Sequence, residues 1–168
     1  MADGAPYKYA SSLAFRAVDP YTDGRRLIAF GRDLYVESLG DARGFERDYG
    51  PGGARFPAWI ASCASRGLAA FLTEDGRPIG LVVLGLDERD PALGRVHHFY
   101  VVPSHRGRGF GGLLDDYARA ALAQAGRRRA RLNVTARNRR ARRFYKAQGW
   151  VDIGPSGEAA LRFLEVAL

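Results

Sequence analysis

The stretch Val101-Val102-Pro103-Ser104-His105-Arg106-Gly107-Arg108-Gly109-Phe110-Gly111-Gly112-Leu113-Leu114 joins the end of a strand-like segment to the start of a helix-like one. Gly107, Gly109, Gly111 and Gly112 leave main-chain N–H groups uncovered by side chains. A helix that opens there turns the positive end of its dipole toward the same spot. A turn of this composition reads as a cradle for a pyrophosphate.

Gly107, Gly109 and Gly112 also spell the GxGxxG of dinucleotide-binding βαβ units, which need an acidic residue about 20 positions later to hold a ribose. From Arg127 to Arg143 the chain has no Asp or Glu, so that contact is missing. No Lys-Ser or Lys-Thr pair follows the glycines, which removes the phosphate loop of nucleotide hydrolases. The other spacing present is Arg106-x-x-Gly109-x-Gly111, preceded by an apolar strand ending Val101-Val102-Pro103 and followed by an amphipathic helix.

Together with the later run Asn138-Arg139-Arg140-Ala141-Arg142-Arg143-Phe144-Tyr145-Lys146-Ala147-Gln148-Gly149-Trp150, that spacing closely resembles the GCN5-related N-acetyltransferase (GNAT) superfamily, over the span from Leu68 to Trp150. The resemblance implies an α/β fold in which a central, mostly antiparallel sheet carries one splayed parallel strand pair and is flanked by about four helices. It also implies transfer of an acetyl group from acetyl-CoA to a primary amine, directly in a ternary complex, with no metal. The chain's one cysteine, Cys63, is far in sequence from the glycine turn, so an acyl-enzyme is not expected.

Composition and charge point the same way. The sequence is 168 residues long, a size that suits a single domain over residues 1–168, with residues 1–12, small and polar, as a loose tail. No apolar run has the 18 or so residues of a membrane span, and the start lacks the charged and apolar regions of a signal peptide, so a cytoplasmic protein without a membrane partner is expected. The net charge is +8. Thirteen basic residues between Arg106 and Lys146 face only Asp115 and Asp116, whereas the rest of the chain has more acids than bases. A positive field confined to the turn and the segments after it suits a compact polyanion such as coenzyme A. The nine arginines from Arg127 to Arg143 also fit a solvated surface or a nucleic-acid patch; nucleic acid is the least favoured of these.

Periodicity places a strand at Leu13–Val18, then a helix carrying Leu27, Ile28, Phe30, Leu34 and Tyr35 that stops near Gly40. Residues from Asp41 to Phe56 show no period and read as a mobile loop, and Pro57 opens a helix with Trp59, Ile60 and Cys63. Leu68–Thr73, Ile79–Leu86 and Arg95–Val102 read as an antiparallel meander whose first turn holds Asp75-Gly76. After the helix ending at Gly126, Arg131–Thr135 returns as a strand parallel to Arg95–Val102, Asn138 caps a short helix, and Trp150–Ile153 with Leu161–Leu168 close the sheet.

Acetyl transfer needs a donor pocket, a neutral amine and a proton for the departing thiolate. Main-chain groups of Arg106, Gly107, Arg108, Gly109, Phe110, Gly111 and Gly112 are the candidates for the pyrophosphate. The resemblance adds that the pantetheine arm follows Tyr100, Val101 and Val102, that an N–H near Val101 faces the oxyanion, and that Asn138 touches the arm. Tyr145 is the candidate acid, since a phenol is protonated at neutral pH; packing of the short helix is its other role. Strand alternation lets only one of His97 and His98 face the cleft; the resemblance, in which a Glu or His often stands at the places of Arg95 and His97, implies His97 as base, and a water chain is the alternative. Acids Asp33, Glu37, Asp41, Glu46 and Asp48 with aromatics Tyr35, Phe45, Tyr49, Phe56 and Trp59 fit either a cationic amine with an apolar body or a plain core with solvated faces. The two rivals are a coenzyme-binding module without catalysis and an arginine-rich nucleic-acid binder. The protein is expected as a monomer or homodimer.

Overall fold

The computed structural model describes residues 11–157 and 160–168. The chain order is β1 (Leu13–Ala17), α1 (Gly24–Leu39), α2 (Arg43–Tyr49), α3 (Phe56–Ala64), β2 (Ala69–Glu74), β3 (Arg77–Leu86), β4 (Leu93–Val101), α4 (Phe110–Gln124), β5 (Arg129–Thr135), α5 (Arg139–Ala147), β6 (Val151–Pro155) and β7 (Leu161–Ala167). The strands form one sheet in the order β1-β2-β3-β4-β5-β7-β6, in which β4 and β5 are parallel and every other pair is antiparallel. The α/β fold with one parallel pair is thus the expected one. At the β2–β3 turn both Asp75 and Gly76 have positive φ, 49° and 76°, as the sharp Asp-Gly hairpin requires.

Two layers of helix cover the sheet. On one face Phe30 of α1 meets Phe71 of β2 and Tyr100 of β4, with ring centroids 5.8 and 4.7 Å apart. On the other, Phe15 of β1 stacks on Tyr117 of α4 at 4.2 Å. An internal polar link joins α4 to the end of α5. The buried carboxylate of Asp115 accepts the Trp150 indole N–H at 2.8 Å and pairs with Arg119 at 2.7 Å, and Arg119 also donates to the Gln148 carbonyl at 2.6 Å. Both carboxylate oxygens of that link have partners, which makes it a rigid strut and not a buried liability.

The register of β4 decides where the sheet opens. Val83 of β3 lies opposite His98, but the next residue, Leu84, lies opposite Val96, so His97 is an extra residue without a partner. Such a β-bulge bends its strand. The parallel pairing with β5 runs from Leu93↔Arg129 to Val96↔Leu132 and ends there, immediately before the bulge. Beyond it β4 and β5 diverge.

Residues 41–56 correct the sequence reading. In place of a mobile loop they form α2 and a short 3-10 turn at Pro51–Gly53, which raises the helix count from four to five. The cause is aromatic packing hidden among Gly, Asp and Arg. Phe45 and Tyr49 occupy one face of α2, and Phe45 is fully buried at 5.1 Å from Phe56 and 5.4 Å from Tyr35. Gly31 makes room: a methyl group there would meet Phe56 at 2.6 Å and Phe45 at 2.8 Å. Of the tail expected over 1–12, residues 1–10 lie outside the described residues. Ser11 and Ser12 are bound to the β2–β3 turn, through Glu74 at 3.1 Å and Asp75 at 2.8 Å. Among the described residues no helix is long and apolar enough to cross a membrane.

Phe45→Ala should lower the unfolding free energy by about 3–5 kcal/mol, the usual cost of deleting a buried ring. Chemical denaturation measures that loss, and hydrogen exchange should show residues 43–49 exchanging faster than the sheet.

Candidate active site

The divergence of β4 and β5 creates a cleft of about 870 Å³ between β4, β5, α1, the turn before α4, and α5. Of the residues singled out in the sequence, His97, Tyr100, Val101, Arg106, Gly107, Gly109, Phe110, Gly111, Gly112, Asn138 and Tyr145 border it. Val102 and Arg108 do not. The Val102 N–H donates to the Ile79 carbonyl at 2.9 Å. That bond also sets the phase of the strand. In an antiparallel ladder the hydrogen-bonded residues alternate, so Val101 and Phe99 turn their N–H and C=O groups away from β3, toward the edge that β5 has left.

The turn separates the work of side chains from that of the backbone. Arg106 donates from Nε to the Val101 carbonyl at 2.7 Å, pairs with Glu37 of α1 and lies over the Tyr100 ring. His105 and Arg108 both reach Glu74 at the end of β2, at 3.0 and 3.2 Å. The charged side chains are spent on fastening the turn to the sheet. Its amides are not. Arg106 N–H bonds to Pro103 and Gly112 N–H to Gly109, but those of Gly107, Arg108, Gly109, Phe110 and Gly111 have no acceptor among the described residues. These five stand at the uncapped N-terminus of a 15-residue helix, where both dipole and donors favour an anion. Gly109 has φ of 86°, and a methyl group on Gly111 would meet the Phe144 ring at 3.0 Å. The residues present therefore fit a diphosphate.

Tyr145 packs beside Phe99 on the α5 side of β4, with centroids 6.2 Å apart, and Trp150 holds its other edge at 5.7 Å. Burial, and then the charge of Asp115, push its phenol above the usual value of 10.0, so it stays protonated. Asn138 caps α5, accepting the Ala141 N–H at 3.0 Å through its side-chain oxygen.

His97 and His98 do not alternate as the sequence pattern suggests. The bulge turns both toward Trp59, at 5.3 and 5.4 Å, and both border the cleft. His97 lies over Gly85 and is open to solvent; burial of its inner side and the nearby Arg95 lower its pKa from 6.5. His98 is 7% exposed, and burial carries its pKa down to about 3.

The acidic and aromatic groups named for the acceptor divide. Glu37 and Asp48 border the cleft, Asp48 receiving the Tyr35 hydroxyl at 3.0 Å. Asp33 instead takes the Tyr100 hydroxyl at 2.8 Å, Asp41 pairs with Arg43, and Phe45 and Phe56 are core. Among the nine arginines, Arg129 and Arg131 grip Glu165 at 2.7 Å each, Arg142 faces Asp152 at 3.6 Å, and Arg127 binds the Pro91 carbonyl. Arg140 is the member of that run at the cleft, four residues before Phe144 on the same helix. Nothing in the sequence distinguishes it from its neighbours.

The model of the Acetyltransferase (GNAT) family matches residues 32–150. Among solved structures, the chain resembles the PaiA N-acetyltransferase of Thermoplasma acidophilum in complex with coenzyme A, with TM-score 0.76 and 16% identity over 94% of this chain and 99% of that one. The putative acetyltransferase YncA of Salmonella typhimurium with its cofactor acetyl-CoA gives TM-score 0.71 and 17% identity, covering 94% and 95%. An acetyltransferase of Thermus thermophilus gives 0.71 and 20%, covering 94% and 97%. At these identities the likeness is one of fold. No curated protein matches the chain.

Gly109→Ala forces a side chain into a left-handed conformation and should weaken coenzyme A binding about tenfold, in line with a cost of roughly 1–2 kcal/mol. Gly112→Ala meets its nearest neighbour at 4.0 Å in ordinary helix and should bind normally. Calorimetric titration of both variants makes the comparison.

Proposed function

The chain belongs to the GNAT family of acetyltransferases, and we propose that it moves an acetyl group from acetyl-CoA to a primary amine by direct transfer in a ternary complex. The observation that carries this reading is the run of five amides, Gly107 to Gly111, without an acceptor among the described residues and beside the open edge of β4. The amides take the diphosphate, and the open edge offers the main-chain groups of Phe99 and the N–H of Val101 to the pantetheine arm, the Val101 carbonyl being held by Arg106. Arg140 supplies a positive charge at the cleft for a further coenzyme phosphate. The coenzyme brings the activated thioester; the chain's residues align it with the amine and manage the protons.

His97, neutral at pH 7 because its pKa is depressed, accepts the proton that the ammonium must lose, directly or through one water. The amine nitrogen then bonds to the carbonyl carbon, and the carbonyl oxygen takes up negative charge. The Val101 N–H faces the open edge and donates to that oxygen. As the carbon–sulfur bond breaks, Tyr145 gives its hydroxyl proton to the thiolate. His97 and Tyr145 lie on opposite faces of β4, so one proton leaves on the Trp59 side and the other arrives on the α5 side. Cys63 is buried and its thiol pKa is raised by burial, which supports transfer without an acyl-enzyme.

Tyr145→Phe should lower kcat by about a hundredfold or more, within the range of acid–base catalysis. The rise in melting temperature caused by coenzyme A should persist. Normal turnover would remove Tyr145 as the acid, and coenzyme binding without turnover in the unaltered protein would favour the non-catalytic module. The acid limb of the kcat profile should lie below pH 6.5, since the required neutral form of His97 survives to lower pH than in an ordinary histidine. His97→Gln should abolish that limb.

A further inference from the structure

His98 stands one position after the bulge, its ring wedged edge-on against Phe56 and Trp59, each 5.4 Å away. It is 7% exposed and borders the cleft. Its Nδ1 is sealed from solvent and has no hydrogen-bond partner among the described residues. A neutral imidazole carries its one proton on either nitrogen. On Nδ1 that proton would be a buried donor without an acceptor, a rarity in folded proteins and more costly than a lone pair left unfilled. The proton therefore belongs on Nε2, the nitrogen not sealed with it. Burial keeps the ring from gaining a second proton near neutral pH. His98 is then a donor of fixed direction, unable to act as a base beside His97.

A fixed donor on this face calls for an oxygen in the ligand. The pantetheine arm follows the free edge of β4, whereas His98 points from the sheet toward α3, on the same side as His97. The oxygen it meets is accordingly on the acceptor. We propose that His98 is a specificity-determining residue whose Nε2–H binds an oxygen carried next to the reacting amine, so that the enzyme prefers α-amino carbonyl compounds to plain alkylamines. Leu34, Tyr35 and Leu39 line the same cleft and offer apolar surface to a side chain. The inference rests on the acetyltransferase reading.

Leucinamide and 3-methylbutylamine test it, since they share an apolar body and a primary amine and differ by the carboxamide. With acetyl-CoA, kcat/KM for leucinamide should exceed that for 3-methylbutylamine by about tenfold or more, because an unpaired polar group in the site penalises the analogue that lacks its partner. His98→Phe should bring the two values together by lowering the leucinamide value alone, and His98→Gln, which keeps an N–H donor, should restore part of the preference. Leucylglycinamide, tested in parallel, separates a free amino acid derivative from a peptide terminus: whichever of the two is preferred should lose its advantage over 3-methylbutylamine in His98→Phe. Equal values for the matched pair in the unaltered enzyme, or an equal loss on both in His98→Phe, overturns the assignment. If no amine is acetylated while coenzyme A still raises the melting temperature, the transferase reading falls and this inference with it. Nitrogen-15 spectra of the unaltered protein give an independent check: His98 should hold the Nε2–H form without titrating between about pH 5 and 8, and an Nδ1–H form would overturn the proposal.

Discussion

The extra residue in β4 is the constraint from which the site derives. A strand that met β3 without a bulge would keep its pairing with β5, and its N–H and C=O groups would be consumed on both sides. With His97 inserted, pairing to β5 stops at Val96↔Leu132, and the groups of Phe99 and the N–H of Val101 are left facing the cleft, while the Val101 carbonyl is taken by Arg106. A sheet edge in the interior of a protein is costly unless a ligand or solvent reaches it. Here it forms a wall of the cleft. The same insertion changes the side-chain phase, bringing His97 and His98 onto one face against Trp59. One local irregularity thus makes both the slot and the pair of imidazoles beside it.

The glycine turn applies a complementary economy. Basic residues next to an anion cradle are naturally read as anion ligands, yet Arg106, Arg108 and His105 are tied to Glu37, Val101 and Glu74. Their role is to hold the main chain still while the amides of Gly107 to Gly111 have no acceptor among the described residues. Preorganised donors suit an anion better than mobile charged side chains, because little ordering remains to be done on binding. Phe144 packing against Gly111 extends that order to α5, and the Asp115–Arg119–Trp150 strut fixes the chain just past the C-terminal end of the same helix. Tyr145 lies between these two anchors.

Much of this architecture is legible in the sequence. The Asp75-Gly76 hairpin, the meander, the crossover through α4 and the Asn138 cap each carry a local chemical signature, and each is present. α2 is not legible, because a seven-residue helix offers less than two full turns of period and its Phe45–Tyr49 pair is diluted by Gly, Asp and Arg. The bulge is hidden for a different reason: His97-His98 obeys the alternation of a regular strand, and nothing in the sequence marks one residue as extra. Nor does composition tell which amides of the turn are already bonded, as those of Arg106 and Gly112 are, or which arginine of the run Arg127 to Arg143 meets the cleft. Those facts depend on how distant segments meet, on Glu74 and Glu165 as much as on the arginines themselves.

Titrating nitrogen-15-labelled protein with coenzyme A and, separately, with pantetheine, which lacks the diphosphate, resolves whether the turn grips that group. The amide protons of Gly107, Arg108, Gly109, Phe110 and Gly111 should move downfield with coenzyme A and stay near their free positions with pantetheine, while those of Arg106 and Gly112 move little in either case. Unmoved turn amides in the presence of saturating coenzyme A, or equal shifts with both ligands, would contradict the binding of a diphosphate at the N-terminus of α4.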